Sequence, residues 1–355
     1  MRILHVITSI ARGGAEHHLL MLAGGLAARG HSVAVAALKG PAELAGAFAA
    51  AGVATHALGL SRYGAPGPAL RLRRLVADFA PDVVHAHLPP AELYARLALL
   101  GTATPLVITR HNDERFAPVA FERALSRWCA ARAARVIAIS EAVARWTTAA
   151  PRGPKLPAPG VQIIRYALAP PPRMPPAPDL AGPGRLVVTV ARLVPQKGLD
   201  VLLDAFATVP PPARLVIVGE GVLRPALEAQ VARLGLGGRV RLAGARADIP
   251  AVLAAASLFV LPSRWEGFGL VLLEAMAAGT PILATSVSAI PEVLGDCGVL
   301  VPPDDAPALA TAMLGMLADP AHCADLAKRG QARLLQVFAP GPMIAATEAL
   351  YQEIA

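Results

Sequence analysis

Residues 258–279 read LFVLPSRWEGFGLVLLEAMAAG and carry the clearest structural signal in the chain. The apolar run Leu258–Leu261 predicts a strand, a glycine-rich turn follows, and an Ala- and Leu-rich helix begins near Leu270 and ends at Gly279. The same alternation of short apolar runs with longer helical stretches recurs along the chain. It is typical of parallel sheets covered by helices on both faces. The fold class is therefore predicted to be α/β.

The apolar runs predict strands in two groups, one in each half of the chain. In the first half the predicted strands are Ile3–Ile7, Val33–Ala36, Val83–His85, Leu106–Thr109 and Val136–Ile139. In the second half they are Leu186–Val190, Leu215–Val218, Val240–Leu242, Leu258–Leu261, Ile282–Ala284 and Val299–Val301. Each half is expected to form a doubly wound, Rossmann-like domain.

A proline-rich segment separates the two halves. Residues 151–184 contain prolines at positions 151, 154, 157, 159, 170, 171, 172, 175, 176, 178 and 183. Proline fixes φ and lacks a backbone donor, so we expect a semi-rigid connector here rather than regular structure. Because 355 residues exceed what one core usually serves, domains are predicted at 1–169 and 170–340. Ligands are expected in a cleft between them, beside the carboxyl ends of the strands.

The composition is that of a folded protein without a membrane span. Hydrophobic residues make up 55% of the chain and charged residues 16%, and no apolar run reaches the roughly 18 residues of a spanning helix. The short N-terminal apolar run is predicted to be a strand rather than a signal peptide. Three widely spaced cysteines match no metal or redox spacing. The expected location is the cytoplasm, with peripheral attachment to the inner face of the cytoplasmic membrane as a further option.

The excess positive charge is confined to the first half of the chain. Residues 1–169 hold 19 Lys and Arg against 9 Asp and Glu, whereas residues 170–355 hold 14 against 16. The arginines form two groups, Arg62, Arg71, Arg73 and Arg74, and Arg115, Arg123, Arg127, Arg132 and Arg135. Such a surface suits an anionic membrane or a lipid-linked acceptor, and equally an ordinary solvated face. Nucleic acid is disfavoured as a partner.

The glycine-rich turn predicts an anion site. Its residues are Gly267, Phe268, Gly269 and Leu270. Glycines let the backbone approach a ligand closely, and N–H groups at a helix N-terminus bind phosphate readily. Glu266 at the turn and Glu274 inside the helix could accept hydroxyls of a sugar and of a ribose. The alternative is two ordinary acids in structural ion pairs, but their placement around the glycine turn favours a nucleotide-sugar site.

Two cations and a second glycine turn extend this prediction. Arg192 and Lys197 follow the strand Leu186–Val190, where a guanidinium fork and a compact ammonium could hold a diphosphate. Taken alone, they would be ordinary surface cations. Gly13 and Gly14 follow the first strand and suit a phosphate or a sugar. They lack the Gly-x-Gly-x-x-Gly fingerprint and its downstream acid, which disfavours an NAD-dependent oxidoreductase.

Three histidines follow strands of the first half. His111 lies at the carboxyl end of a central strand and could hydrogen-bond a sugar hydroxyl or a phosphate, although a polar loop position explains it equally. His85 and His87 are interpreted as pointing to opposite faces of their strand, so that only one reaches the cleft. On that interpretation they supply too few ligands for a metal ion, and no metal site is predicted.

These motifs resemble those of the family 4 retaining glycosyltransferases, also called group 1, of the GT-B fold. The resemblance covers nearly the whole chain. The matching residues are Gly13 and Gly14 of the N-terminal glycine loop, Arg192 and Lys197 of the diphosphate-binding pair, and Glu266 and Glu274 of the two-glutamate motif. The resemblance also implies that residues 341–355 form a C-terminal helix that packs back on the first domain.

The resemblance implies transfer of a hexose from a nucleotide-sugar, with a UDP-sugar as the expected donor. The acceptor would be a lipid-linked, polysaccharide or other cell-envelope molecule. Glu266 would hold hydroxyls of the donor sugar, Glu274 would hold the ribose, and the cations and helix dipole would stabilise the departing phosphate. Glu266 and, from its position at the end of a strand, His111 are the candidate catalytic residues. No metal or other cofactor is then expected, and the sequence has no Asp-x-Asp motif.

Other functions remain open from the sequence. A catalytically silent sugar-nucleotide-binding protein or membrane scaffold would share the fold. A phosphorylase would need a cofactor lysine, and none of the four lysines is marked out as one. The chain also departs from the family pattern, since Ile163–Ala167 replaces a common Asn-Gly pair and Ser288-Ala289 replaces glycines. These departures concern the hinge and the acceptor side rather than the donor site.

Overall fold

The computed structural model describes residues 1–11, 13–111, 125, 128–149, 161–172 and 174–355. The chain divides into two compact units, which we call unit 1 (Met1–Ala167 with Pro340–Ala355) and unit 2 (Leu168–Ala339). Each is built around one parallel sheet. In the described part of the chain, no helix combines the length and apolar character needed to cross a bilayer.

Unit 1 contains a seven-stranded sheet with the order β3-β2-β1-β4-β5-β6-β7. Its strands are β1 (Arg2–Ile7), β2 (Ser32–Ala37), β3 (Ala54–Ala57), β4 (Val83–His87), β5 (Leu106–Arg110), β6 (Ala133–Ala138) and β7 (Val161–Ile163). Its described helices are α1 (Gly14–Ala28), α2 (Ala45–Ala50), α3 (Pro66–Phe79), α4 (Pro89–Ala98), α5 (Glu141–Ala149) and α13 (Pro340–Ile354). Side chains of β1 alternate between two apolar layers, with Ile3 on one face and Leu4 on the other.

Unit 2 contains a six-stranded sheet with the order β10-β9-β8-β11-β12-β13. Its strands are β8 (Leu186–Val190), β9 (Arg214–Val218), β10 (Val240–Gly244), β11 (Leu258–Leu261), β12 (Ile282–Thr285) and β13 (Val299–Val301). Its helices are α6 (Leu199–Ala207), α7 (Arg224–Arg233), α8 (Ile249–Ala255), α9 (Leu270–Ala278), α10 (Ile290–Leu294), α11 (Ala306–Ala318) and α12 (Pro320–Val337). Here too both faces are covered, since Val187 joins one apolar layer and Val188 the other.

The predicted α/β class is confirmed, and every predicted strand is present with bounds that differ by at most three residues. Two further strands, β3 and β7, are not predicted from the sequence. Both are outer strands of their sheet, and no residue of either is fully buried, so neither requires an apolar run. The strand β7 lies within the proline-rich segment, where the sequence predicts no regular structure. That prediction is wrong for Val161–Ile163.

The C-terminal helix α13 is part of unit 1. Glu348 accepts hydrogen bonds from Arg29 Nη1 at 2.5 Å and from His31 Nε2 at 2.7 Å. Tyr351 is fully buried, and its hydroxyl lies 2.5 Å from His85 Nδ1. The last residues of the described chain therefore complete the core of the unit that begins with Met1.

Candidate functional site

The loop from β11 to α9 brings a helix N-terminus to the carboxyl edge of the unit 2 sheet. Its N-cap, Gly269, has a φ of +82°, a left-handed conformation that favours glycine. Phe268 is 2% exposed and packs edge-on against Phe338, with 5.8 Å between ring centroids. This anchor fixes the place where α9 begins, and the helix dipole favours negative charge there.

Lys197 and Glu266 form an ion pair at this edge. Lys197 ends the 3-10 turn Pro195–Lys197 that follows β8, and Glu266 lies in the loop that follows β11. The side chains are 14% and 7% exposed, and Ser263 Oγ donates a hydrogen bond to Glu266 Oε1 at 2.9 Å. The pair therefore joins the carboxyl ends of two neighbouring central strands. It places an ammonium and a carboxylate beside the helix N-terminus.

Glycines pack the loops of this edge against one another. Gly198 has a φ of +60°, and a Cβ there would lie 2.1 Å from the carbonyl oxygen of Pro262. A Cβ on Gly219 would lie 1.9 Å from the carbonyl oxygen of Ala191. Both distances are far inside van der Waals contact, so only glycine allows the backbones to approach this closely. The loops after β8, β9 and β11 thus have their positions fixed by backbone contact.

The other predicted donor residues of unit 2 lie in and next to these loops. Arg192 is exposed, and its Nη2 donates to Gln196 Oε1 at 3.3 Å. Gln196 Nε2 in turn donates to the carbonyl oxygen of Trp265 at 3.0 Å. Glu274 is half-buried in α9, one turn from its first residue. Arg192, Lys197, Glu266 and the turn of Gly267–Leu270 thus share one edge of the sheet, with Glu274 on the helix behind them.

Arg264, in the same loop, has a structural role that the sequence does not reveal. Its Nη2 lies 2.8 Å from Asp200 Oδ2, and its Nε lies 2.7 Å from Asp304 Oδ1. Its Nη1 also donates to the carbonyl oxygen of Pro195 at 2.7 Å. These contacts tie the β11 loop to the start of α6 and to the segment after β13.

The glycine turn Gly13-Gly14 lies in unit 1, where Gly14 begins α1. The carboxylate of Glu16 folds back on this turn, so that a Cβ on Gly13 would lie 2.4 Å from Glu16 Oε2. Ser9 Oγ donates to Glu16 Oε1 at 3.1 Å. Because like charges repel, a carboxylate in this position favours the hydroxyls of a sugar over a phosphate at the turn.

A cluster of buried histidines lies against one face of the unit 1 sheet. Its members are His5, His18, His85, His87 and His111, each at most 7% exposed. The ring centroids of His85 and His87 are 4.1 Å apart, because residues two apart on a strand share a face. The interpretation that these two point to opposite faces is therefore wrong. His5 lies opposite His85 in the register of β1 with β4 and adds a third imidazole.

Hydrogen bonds link three of these imidazoles in a row. His5 Nδ1 lies 3.0 Å from His87 Nε2, and His87 Nδ1 lies 3.1 Å from His111 Nε2. His111 Nδ1 is hydrogen-bonded to the hydroxyl of Tyr166, whose ring stacks on His18 at 4.2 Å between centroids. Both ring nitrogens of His111 are therefore engaged inside unit 1. A direct role of His111 toward a ligand requires that one of these bonds be exchanged.

Burial keeps this cluster uncharged. Burial lowers the pKa of both His5 and His18 to about 3, with a further lowering of the His5 pKa by the charge of His18. Burial also lowers the pKa values of His85, His87 and His111 well below the usual range. Desolvation disfavours the charged imidazolium, so all five rings are neutral at pH 7.

The cluster also bears on the prediction that unit 1 holds no metal site. One nitrogen each from His5, His85 and His87 can be chosen so that all three lie within 4.8 Å of one another. His85 and His87 alone would offer two ligands, and His5 adds a third imidazole. Both nitrogens of His85 already bond, to Tyr351 at 2.5 Å and to Thr109 at 2.6 Å. These contacts join His85 to a hydrogen-bond network, and the absence of a metal at the cluster stays a prediction.

Several arginines of the two basic groups in the first half form hydrogen bonds or ion pairs within the protein. Arg71 donates to the carbonyls of Leu58 and Gly59, and Arg73 donates to that of Leu100. In the second group, Arg132 donates to the carbonyls of Thr102 and Thr104, and Arg135 pairs with Glu353. Arg115, Arg123 and Arg127 lie outside the described residues. Arg62 and Arg74 of the first group are exposed.

Comparison with solved structures defines the fold. HepE of Anabaena in complex with UDP and glucose superposes with a TM-score of 0.86 at 24% identity, over 99% of this chain and 100% of that chain. WaaG, a glycosyltransferase of lipopolysaccharide biosynthesis, superposes with a TM-score of 0.75 at 17% identity over 99% of each chain. Two parallel-sheet α/β units of this kind define the GT-B fold.

Sequence comparison then identifies the family. The family model for group 1 glycosyl transferases matches residues 184–319, and that for glycosyltransferase family 4 matches residues 12–154. The phosphatidyl-myo-inositol mannosyltransferase of Mycobacterium leprae is 33% identical over 86% of this chain and 84% of its own length. The lipopolysaccharide core mannosyltransferase LpsB of Rhizobium meliloti is 32% identical over 48% of this chain and 52% of its own. The chain belongs to the group 1, family 4 glycosyltransferases.

Proposed function

We propose that this glycosyltransferase moves a mannosyl group, or a closely related hexosyl group, from a nucleoside diphosphate sugar to a glycolipid of the cell envelope. The observation that carries the proposal is the position of Lys197 and Glu266 beside the N-terminus of α9. A diphosphate needs positive charge, and a sugar needs a hydroxyl acceptor next to it. This edge of the sheet offers both within one ion pair.

Each residue of the edge has a proposed role. Arg192, Lys197 and the backbone of Gly267–Leu270 bind the diphosphate, with the helix dipole adding to the attraction. Glu266 accepts hydroxyls of the donor sugar, and Glu274 accepts those of the ribose. When the diphosphate binds, it competes with Glu266 for the Lys197 ammonium. The carboxylate is thereby released toward the sugar.

The proposed reaction retains the configuration of the transferred sugar. The bond from the anomeric carbon to the diphosphate oxygen breaks, and a bond from that carbon to the acceptor oxygen forms on the same face. The acceptor proton passes to the departing phosphate oxygen. Cations and the helix N-terminus stabilise the negative charge that develops on the phosphate, so no metal ion is needed.

The acceptor side of the proposal uses the relatives and the surface of α3. The relatives named above are mannosyltransferases of phosphatidylinositol and of lipopolysaccharide core. On α3, Leu70 is 59% exposed and Arg74 is exposed near it, next to a groove of about 480 Å³ between α3 and α4. Apolar and cationic side chains together suit the surface of an anionic membrane. We infer peripheral attachment through this helix.

A thermal-shift panel of UDP, GDP, ADP and their sugar conjugates tests the donor site. A ligand that binds only the folded state raises the melting temperature. We expect one nucleotide to stabilise the wild type, Glu274→Ala to lose most of that shift, and Glu228→Ala, an exposed helix acid of unit 2, to keep it. Stabilisation by UDP and its sugar conjugates would support uracil as the base of the donor, whereas stabilisation by GDP and its conjugates would show that the base is guanine. The absence of any shift would overturn the donor site.

Turnover separates the proposal from the alternative of a silent binding protein. With the stabilising donor and a phosphatidylinositol or lipopolysaccharide-core acceptor, we expect release of the nucleoside diphosphate in the presence of EDTA. We expect proton NMR to show that the transferred sugar in the product has the same anomeric configuration as in the donor. An inverted product would overturn retention. Donor binding without hydrolysis or transfer would favour the silent protein.

Vesicle sedimentation tests the membrane surface. We expect binding to anionic vesicles but not to neutral ones, and a loss of binding in Leu70→Ser and in Arg74→Glu. Arg233→Glu is the matched control, because its side chain is 66% exposed and belongs to unit 2. Equal loss in all three variants would remove α3 from the proposal.

A further inference from the structure

A line of hydrogen bonds crosses three adjacent strands of unit 1. It runs from His5 in β1 to His87 at the end of β4, then to His111 directly after β5, and ends at the hydroxyl of Tyr166. All four side chains are buried, at 0% to 7% exposure. The donor and acceptor at each link are therefore set by the line itself and not by water.

The proton positions along this line depend on one another. Each neutral imidazole carries one N–H and one bare nitrogen. If His5 Nδ1 is protonated, it donates to His87 Nε2, so the His87 proton must be on Nδ1. That proton is donated to His111 Nε2, which places the His111 proton on Nδ1. If one ring reverses, all three must reverse.

We call the order in which His5 Nδ1 donates the forward direction, and the opposite order the reverse direction. The two differ in the state of the second ring nitrogen of His5, Nε2. In the reverse direction His5 carries its proton on Nε2, and among the described residues this atom has no hydrogen-bond partner. A buried N–H without a partner is rarer and more costly than a bare acceptor. The forward direction leaves only a bare lone pair on His5 Nε2. At the His5 end the forward direction is therefore favoured. At the other end it makes the Tyr166 hydroxyl an acceptor, whose own proton is then donated away from His111.

We propose that His5 and His87 are positioning residues that hold His111 as its Nδ1–H tautomer. His111 then acts as a hydrogen-bond donor, and not as a base, toward an oxygen atom at the position of the Tyr166 hydroxyl. A phosphate oxygen or a sugar hydroxyl that displaces Tyr166 would receive this N–H. The use of the donor in sugar transfer rests on the proposed function, whereas the tautomer itself does not.

Nitrogen-15 NMR of histidine-labelled full-length protein tests the proposal without any substrate. We expect His5, His87 and His111 to show Nδ1 at the protonated shift and Nε2 at the unprotonated shift. Nε2–H tautomers, or charged rings, at His87 and His111 near pH 7 would overturn it. The wild-type spectrum decides this point even where a variant fails to fold.

Two buried variants test the coupling. Tyr166→Phe removes the terminal acceptor, so that either direction leaves one buried N–H without a partner, and we expect the signals of His5, His87 and His111 to shift together toward a mixture of tautomers. His85→Phe is the matched control, since His85 is 1% exposed and lies beside His87 but bonds Thr109 and Tyr351 instead. We expect it to leave the His111 tautomer unchanged. His5 and His87 signals that ignore Tyr166→Phe, or that respond equally to both variants, would refute the coupling along the line.

Transfer kinetics distinguish this proposal from the proposed function. If His111 donates to the reacting ligand, we expect His87→Phe, which removes the donor to His111 Nε2, to lower kcat roughly tenfold with little change in the donor KM. A tenfold rate change corresponds to about 1.4 kcal/mol. If the tautomers are as expected but the protein has no transferase activity, the proposed function is rejected and the line of hydrogen bonds stands. If the protein is active but His111 is the Nε2–H tautomer, the proposed function stands and the positioning role is rejected.

Discussion

Lys197 and Glu266 form an ion pair that holds two loops of unit 2 together while occupying the proposed donor site. Both side chains are largely withdrawn from water, and Ser263 is a further partner of the carboxylate. Removing one member of a buried pair leaves the other charge without compensation. Stability and donor binding are therefore coupled at this pair.

Lys197→Ala is expected to reduce both properties. The free energy of unfolding of unit 2 should fall by about 3 kcal/mol because Glu266 stays buried without its cation. Arg192→Ala is the control, since this exposed cation should change stability by less than about 0.5 kcal/mol while also weakening donor binding. Urea unfolding and nucleotide titration of both variants measure the two effects. Equal stability losses would contradict the coupling.

Gly198→Ala is expected to be strongly destabilising. Its Cβ would overlap the Pro262 carbonyl oxygen at 2.1 Å, so the β8 and β11 loops must separate, at a cost of about 3 kcal/mol or more. Gly235→Ala is matched in backbone conformation, with φ of +68°, but has nothing within 4 Å of the added Cβ. It should cost only about 1 to 2 kcal/mol. The difference in thermal stability between the two variants measures the cost of the steric overlap with Pro262, because the cost of the left-handed backbone is common to both.

Unit 1 is expected to be acid-sensitive. The pKa of His5 and of His18 is about 3 in the folded protein, below the unfolded value of about 6.5. As pH falls below 6.5, the unfolded chain binds protons that the folded chain does not, so stability is lost from pH 6.5 down to about 3. Each of these two histidines contributes about 1.4 kcal/mol per pH unit within that window.

Hydrogen exchange at pH 7.5 and 5.5, resolved by peptide, checks this expectation. Unit 2 serves as the internal control, because eight of the nine histidines lie in unit 1 and the remaining one, His322, is exposed. Protection should fall in unit 1 first. A simultaneous loss in both units would show that another group controls acid unfolding.

Tyr351→Phe is expected to destabilise unit 1 by about 1 to 3 kcal/mol. The variant removes the hydroxyl that bonds His85 Nδ1 at 2.5 Å and leaves that nitrogen buried without this partner. Tyr63→Phe is a suitable control, since that ring is 54% exposed and should be within about 0.5 kcal/mol of wild type. Chemical denaturation of both variants gives the difference.

The sequence predicts most of unit 2, because its signals are local. The strand, turn and helix of residues 258–279 follow one another directly, and apolar strands such as Leu258–Leu261 are buried on both faces. The pairing of Lys197 with Glu266 is harder to predict, since 69 residues separate them. It follows only once β8 and β11 are known to be neighbours in the sheet.

The histidine cluster could not be predicted in the same way. His5, His87 and His111 meet because β1, β4 and β5 are adjacent, and nothing local in the sequence states that order. The period of two along β4 does place His85 and His87 on one face and would have given part of the cluster. Tyr166 is a different case. The sequence marks it only as a departure from the family pattern, and its contact with His111 emerges from the fold.

The glycine contacts among the loops of unit 2 also have an entropic consequence. Backbones that touch at Gly198 and Gly219 have little freedom left to lose when a ligand arrives, whereas a loop that must become ordered on binding gives up conformational entropy for each residue. The affinity of the donor edge is therefore set mainly by the contacts it makes. Substitutions that loosen these glycines would weaken binding through disorder in the unbound protein, without touching any atom of the ligand.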